Sequence, residues 1–250
     1  MAITVETPDA ETFEFRATSI LNAAWTARPI LDGLTYPALP FLRDVRTVLD
    51  VGANCGAASV YFAQQFPGAT VHAVEPGSEQ LECLRYNAAH FPGIVVHPIG
   101  LSSEDRTATL HLAEDSGQAS VYRSDWHDGR TEEITLRNAS AWLAEQGISS
   151  IDVLKVDAEM SELEVLSSFA GMLPEVSAIY LEFGSSEIRR GIDRLLDPTH
   201  DIILAEMTLD QGECVYLRRD LTRHPALRGR LLEILAARQA AALRLAEASR

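Results

Sequence analysis

The stretch Val-Leu-Asp-Val-Gly-Ala-Asn-Cys-Gly at 48–56, followed by His-Ala-Val-Glu-Pro at 72–76, constrains this 250-residue chain more than any other feature. Val48, Leu49 and Val51 form a short apolar run of the kind that becomes a buried strand. Gly52 and Gly56 bracket a tight turn, and Ala57 to Phe66 suit a helix that stops near Pro67-Gly68. Ala69 to Val74 read as the next strand, which delivers Glu75 to its carboxyl end. In a doubly wound α/β sheet a nucleoside sits outside those strand ends, and an acid on the second strand grips its ribose hydroxyls.

The glycine spacing narrows the ligand. Dinucleotide sites use G-x-G-x-x-G because a pyrophosphate needs bare backbone at a helix N-terminus. Here Asn54 replaces the middle glycine. A ligand without phosphates at the turn, such as S-adenosylmethionine, fits better. On that reading Asp50 and the backbone of Gly52, Ala53, Asn54 and Gly56 hold the methionine part, and Glu75 holds the ribose. An ordinary βαβ crossover and a nicotinamide site are the alternatives.

With 46% hydrophobic residues the chain can bury a large core as one α/β domain. The net charge of −15 repels phosphate backbones and argues against nucleic acid. No apolar run approaches the roughly 18–20 residues that span a bilayer. The acidic N-terminus does not read as a signal peptide. Cys55, Cys83 and Cys214 are too few for a disulfide framework, so a cytoplasmic home is expected.

Three segments are expected. Residues 1–45 form an N-terminal helical segment able to lid the pocket, with a helix over Glu11 to Trp25 and a loop, Pro29 to Pro40, carrying Tyr36. Residues 46–220 form the ligand-binding domain, and 221–250 an arginine-rich amphipathic helix. That helix either docks on the acidic body or pairs with a second copy as a homo-oligomer. Within the domain, Leu81 to Phe91 suit a helix with Ser78 as N-cap, and Ile94 to His97 a third strand. Thr107 to Leu112 alternate like an added antiparallel strand, and 113–130 read as a mobile loop over the site. Ser140 to Gln146 and Ser161 to Met172 read as helices, Asp152 to Val156 and Ala178 to Phe183 as core strands, and 201–206 with 213–218 as a closing hairpin.

The run Leu-Lys-Val-Asp-Ala-Glu at 154–159 carries the second signal. Asp157 ends a strand at the ligand edge of the sheet, with Glu159 just beyond it, and Glu182 ends the next strand at the same rim. A hydroxyl acceptor is a poor nucleophile until its proton is removed, so a carboxylate beside it helps. Asp157 is the first candidate for that base or for an acceptor anchor, Glu159 the second. Glu182 and Tyr36 are candidates for substrate contact. Asp157, Glu159 and Glu182 could instead share a divalent ion, which is not the favoured reading. Glu162 and Glu164 complement a helix N-terminus. Of the 21 Lys and Arg residues only Lys155 is a lysine, and strand alternation puts it on the face of Asp157. His72, His97 and Cys55 read as structural.

With these strings assembled, the chain resembles the FkbM-type family of S-adenosylmethionine-dependent methyltransferases. Asp-Val-Gly-Ala-Asn-Cys-Gly at 50–56, Val-Glu-Pro at 74–76 and Leu-Lys-Val-Asp-Ala-Glu at 154–159 carry the resemblance, extended by 161–166 and 180–182. It implies a single-domain Rossmann-like class I methyltransferase fold with a mostly parallel seven-stranded sheet. It also implies methyl transfer to a hydroxyl of a small metabolite, such as a natural product or sugar. The Lys155, Asp157, Glu159, Glu162 pattern is the most specific part. The chain departs from the family at Met160, where a glycine is usual, and at Leu136-Arg137, where a Leu-Asp pair is common. A non-catalytic S-adenosylmethionine-binding partner protein is the rival reading.

Overall fold

The computed structural model describes residues 3–113, 119–123, 125 and 127–248. Its centre is a seven-stranded sheet in the order β11-β12-β10-β9-β3-β4-β5. The strands are β3 (Thr47–Val51), β4 (Thr70–Val74), β5 (Ile94–His97), β9 (Val153–Val156), β10 (Ala178–Phe183), β11 (His200–Thr208) and β12 (Gln211–Arg218). β3 pairs in parallel with both β4 and β9, β10 is parallel to β9, and β12 is antiparallel to β10 and β11. The expected mostly parallel seven-stranded sheet is present. From β3 the chain winds outward through β4 and β5, then returns to the other side through β9 and β10. The switch point therefore lies between β3 and β9, where ligands of such sheets bind outside the carboxyl ends.

Strand alternation separates two faces. Leu49, Val51, Leu154, Val156, Ile179 and Leu181 enter one apolar core with Trp142, Leu143 and Phe183. That core is covered by α4 (Ala139–Glu145), α5 (Glu162–Ser168) and α6 (Ser186–Leu196). Val48, Val153 and Tyr180 enter the opposite core with Val60 and Phe62 of α2 (Ala57–Gln65). α3 (Ser78–Ala88) packs through Leu81 and Leu84 against Ala53 and Ala73.

The N-terminal segment is not the helix expected over Glu11 to Trp25. Ile3–Glu6 (β1) and Thr12–Phe15 (β2) form an antiparallel hairpin, and only Asn22–Ala27 and Arg28–Leu31 (α1) are helical, the former as a π-turn. The period of two decides this: Ile3, Val5, Phe13 and Phe15 are buried while their neighbours are not, and Phe13 stacks on His90 at 3.9 Å.

Thr107 to Leu112 do form an antiparallel strand, but in a separate sheet of order β6-β8-β7, from Gly100–Ser102, His127–Asn138 and Arg106–Ala113. The loop expected over 113–130 is thus shorter, because 127–130 already belong to β8. Residues 114–118, 124 and 126 lie outside the described residues. Ser78 begins α3 instead of capping it: the N-cap is Gly77, and the Ser78 hydroxyl donates to Glu132 at 2.9 Å. The helix expected over Ser161 to Met172 ends at Ser168.

α7 (Leu227–Ala248) docks on the body. Leu227 and Ile234 are buried, the Arg230 guanidinium donates to the Ala38 carbonyl at 3.1 Å, and that of Arg238 to the carbonyls of Leu34 and Thr35 at 2.8 and 3.0 Å. Among the described residues no helix is long and apolar enough to cross a membrane.

Candidate active site

The turn after β3 is built for bare backbone. Gly52 has φ 74°, and a Cβ there would overlap the carbonyl of Asp157; Gly56 has φ 88° and faces Leu84 at the start of α2. The N–H groups of Gly52 and Ala53 both donate to the Val74 carbonyl at 3.0 Å. Glu75 then clamps the turn, accepting from the N–H of Asn54 through Oε2 and from that of Gly77 through Oε1, each at 2.8 Å. Burial pushes the Glu75 carboxyl up to about 7 against the pull of those two N–H groups.

Beneath the turn lies an ion-pair ladder dictated by register. Asp50 pairs with Lys155 across β3 and β9, and Lys155 with Tyr180 across β9 and β10, so all three share one face. The Lys155 ammonium stands 3.4 Å from both Asp50 Oδ1 and Asp157 Oδ2, and donates to the carbonyls of Gly52 at 2.5 Å and Val51 at 3.3 Å. Burial alone would discharge it, but Asp157, Asp50 and Glu182 outweigh burial and hold it above its ordinary value. The second Asp50 oxygen accepts from Ser59 Oγ at 2.5 Å. Tyr36 is buried behind this ladder, 5.8 Å from the ammonium and edge-on to Tyr180.

Above the ladder the carboxylates converge. Burial lifts Asp157 above its ordinary value, opposed by Lys155. Burial, then Asp157, Glu182 and Glu162, push Glu159 up to about 9. Asp157 and burial together raise Glu182 well above the ordinary range. Glu159 and Met160 are both in left-handed backbone, φ 45° and 83°. Glu162 pins their turn by accepting from the N–H of Ala158 at 3.2 Å and Met160 at 2.9 Å. Among the described residues no group of three His, Cys, Asp or Glu converges as metal ligands.

Two cavities meet at these acids. The larger, about 770 Å³, is lined by Gly52, Asn54, Glu75 and Pro76 on one side and by Leu110, Ile134 and Leu136 of the small sheet on the other. The second, about 500 Å³, runs between the turn and the N-terminal segment, with Lys155 and Glu182 at its end. Gly52, Asn54, Asp157 and Glu159 line both.

Of the residues expected from sequence, Gly52, Ala53, Asn54, Glu75, Lys155, Asp157, Glu159 and Glu182 reach a cavity, whereas Asp50, Gly56 and Tyr36 support the walls from behind. His72 and His97 face each other at 3.0 Å away from both cavities, with His97 pushed down to about 4 by burial and by His72. Sequence reasoning missed Asn22 and Thr26 in the second cavity. It also missed Ser102 and Glu164, which bond to each other at 2.6 Å on the wall of the first. A serine at the end of a three-residue strand gives no local signal.

The model of the methyltransferase FkbM domain matches residues 50–217. The 2-O-methyltransferase NoeI of Sinorhizobium fredii is 23% identical over 160 residues, covering 58% of this chain and 65% of that protein. The 31-O-demethyl-FK506 methyltransferase FkbM of Streptomyces tacrolimicus is 30% identical over 156 residues, covering 50% of this chain and 60% of that protein. The chain thus matches less than two thirds of the length of either relative. Among solved structures, the fibrillarin pre-rRNA processing protein of Methanococcus jannaschii superposes with a TM-score of 0.50 at 11% identity, over 87% of this chain and 82% of that one, a likeness of fold alone.

Proposed function

The chain belongs to the S-adenosylmethionine-dependent methyltransferases of the FkbM-domain family, and on that premise we propose that it methylates a hydroxyl of a small metabolite. The observation that carries the hydroxyl is the position of Asp157 and Glu159 where the two cavities meet. The residues suit the cofactor: Gly52, Ala53 and Asn54 of the turn line the cavities, and Glu75 offers a buried carboxylate beside them for ribose hydroxyls. When bound, S-adenosylmethionine supplies a methyl group activated by its positive sulfur.

The chain's own part is positioning and proton removal. Asp157 is the proton acceptor or acceptor anchor, because the Lys155 ammonium 3.4 Å away favours its ionised form. Glu159, further from Lys155 and crowded by other acids, keeps its proton and donates a hydrogen bond. Environments that push two carboxyl groups apart assign them different roles. Glu182, close enough to Asp157 for that charge to be the first cause raising its carboxyl, orients the acceptor, and Lys155 positions Asp157. The names of NoeI and FkbM, both O-methyltransferases, support hydroxyl over amine. Incubating the purified protein with S-adenosylmethionine and panels of polyhydroxylated natural products and sugars tests this. The expected result is S-adenosylhomocysteine release coupled to a one-methyl mass gain at oxygen; methylation confined to amines would overturn it.

A further inference from the structure

Asn22 carries an unused carboxamide in the wall of the second cavity. The residue is 1% exposed, and among the described residues neither its Oδ1 nor its Nδ2 has a hydrogen-bond partner. A buried amide left unpaired on both sides is costly, and native proteins rarely keep one without a use. The backbone around it is set firmly: the Asn22 N–H donates to Ser19 Oγ at 2.9 Å, and the Arg28 N–H reaches the Ala23 carbonyl in π register. Such π-turns occur often at functional sites. Asn22 and Thr26 form one wall of the cavity, and Ala57 and Ala58, the first residues of α2, form the facing one.

The cavity is electrically two-ended. α2 opens without a side-chain cap, so the positive end of its dipole is free for an anion. Asp157, kept ionised by the Lys155 ammonium 3.4 Å away, brings a carboxylate to the other end. An amide offering one donor and one acceptor between those ends matches a group that carries both an anion and a cation. We propose that Asn22 is a cofactor-binding residue that recognises the α-amino acid end of S-adenosylmethionine, donating through Nδ2 to its carboxylate and accepting through Oδ1 from its ammonium. This rests on the cofactor reading above, and gives the N-terminal segment a role in recognising the cofactor.

The test uses two ligands that differ in that end: S-adenosylhomocysteine carries the amino acid, and 5′-methylthioadenosine lacks it. Calorimetric titration of wild type, Asn22→Ala and Asn22→Asp with each separates the ends of the molecule. Asn22→Ala should weaken S-adenosylhomocysteine at least tenfold and methylthioadenosine less than twofold, and Asn22→Asp should weaken the former further by repelling the carboxylate. Without ligand, Asn22→Ala should melt no lower than wild type, since it removes an unsatisfied group. Equal losses for both ligands, no loss for either, or a clear drop in unliganded stability would each overturn the proposal. Wild type failing to bind S-adenosylhomocysteine would overturn the cofactor reading and this inference together, whereas tight wild-type binding that Asn22→Ala leaves unaltered would overturn this inference alone.

Discussion

The Lys155 ammonium lies 2.5 Å from the carbonyl oxygen of Gly52, so the chain's one lysine grips the glycine turn from below. The same ammonium neutralises Asp50, which is wholly buried and has no other cation beside it among the described ion pairs. Lys155 therefore links three things: the turn, a buried acid and the candidate base.

Lys155→Met should be strongly destabilising, by about 3–5 kcal/mol, because it strands the Asp50 carboxylate in the core. Lys155→Arg keeps the charge but forces a larger planar group under the turn, costing about 1–3 kcal/mol of stability. It should also slow methylation at least about tenfold, equivalent to about 1.4 kcal/mol in the barrier. Urea unfolding and single-turnover kinetics read the two effects. Wild-type values for Lys155→Arg in both would show that the turn does not depend on this grip.

Glu75 makes cofactor affinity pH-dependent. Its carboxyl group is raised to about 7, and ribose hydroxyls donate to the ionised form, so binding favours loss of its proton. Affinity should therefore rise with pH, by about tenfold between pH 6 and pH 8 if only the carboxylate binds, and level off above. Glu75→Gln should bind more weakly by about 1.5–3 kcal/mol and show a flat profile. Titrations across pH in matched ionic strength check this. A profile that falls with pH would remove Glu75 from the ribose.

Asp157 and Glu159 should respond differently to loss of charge. Asp157→Asn removes the proton acceptor and should lower kcat at least about a hundredfold, within the usual worth of a general base. Glu159→Gln imitates the protonated acid that Glu159 already is at neutral pH, with its carboxyl up at about 9, so kcat should fall less than about tenfold. Rapid-quench rates on both variants decide the assignment. The opposite order of losses would exchange the two roles.

The β3-α2-β4 unit and β9 could be read from sequence because parallel strands buried on both faces appear as continuous apolar runs, and because Gly52 and Gly56 mark a turn that other residues cannot make. β8 could not. Its first half is exposed and charged, and only Ile134 and Leu136 reach the core, held by pairing with β6 far back in the chain. The β1-β2 hairpin was concealed by aromatic residues that also fit a helix until Phe13 is seen stacked on His90. α6 was readable in principle, since Ile192 and Leu196 are buried one helical turn apart. Within the site, Glu75 and Asp157 were legible because they end strands, while Asn22 is a single polar residue whose role depends on which wall the N-terminal segment forms.

Met160 stands in left-handed backbone, φ 83°, a conformation that favours glycine. The residue is 39% exposed, and its sulfur lies over Gly184. Met160→Ala and Met160→Gly both remove that side chain, and their difference isolates the backbone. In an ordinary helix or strand alanine would be the more stable by about 0.5–1 kcal/mol. Here the sign should reverse, with Met160→Gly more stable than Met160→Ala by about 0.5–1 kcal/mol, the left-handed penalty outweighing glycine's extra unfolded-state entropy. Chemical denaturation of the pair measures it. The Glu162 carboxylate still holds the N–H groups on either side of Glu159, so the glycine variant should keep Glu159 in place and its methylation rate within about twofold of wild type. A more stable alanine variant would mean that the turn can leave the left-handed region, and a collapse in rate would mean that Met160 itself shapes the pocket.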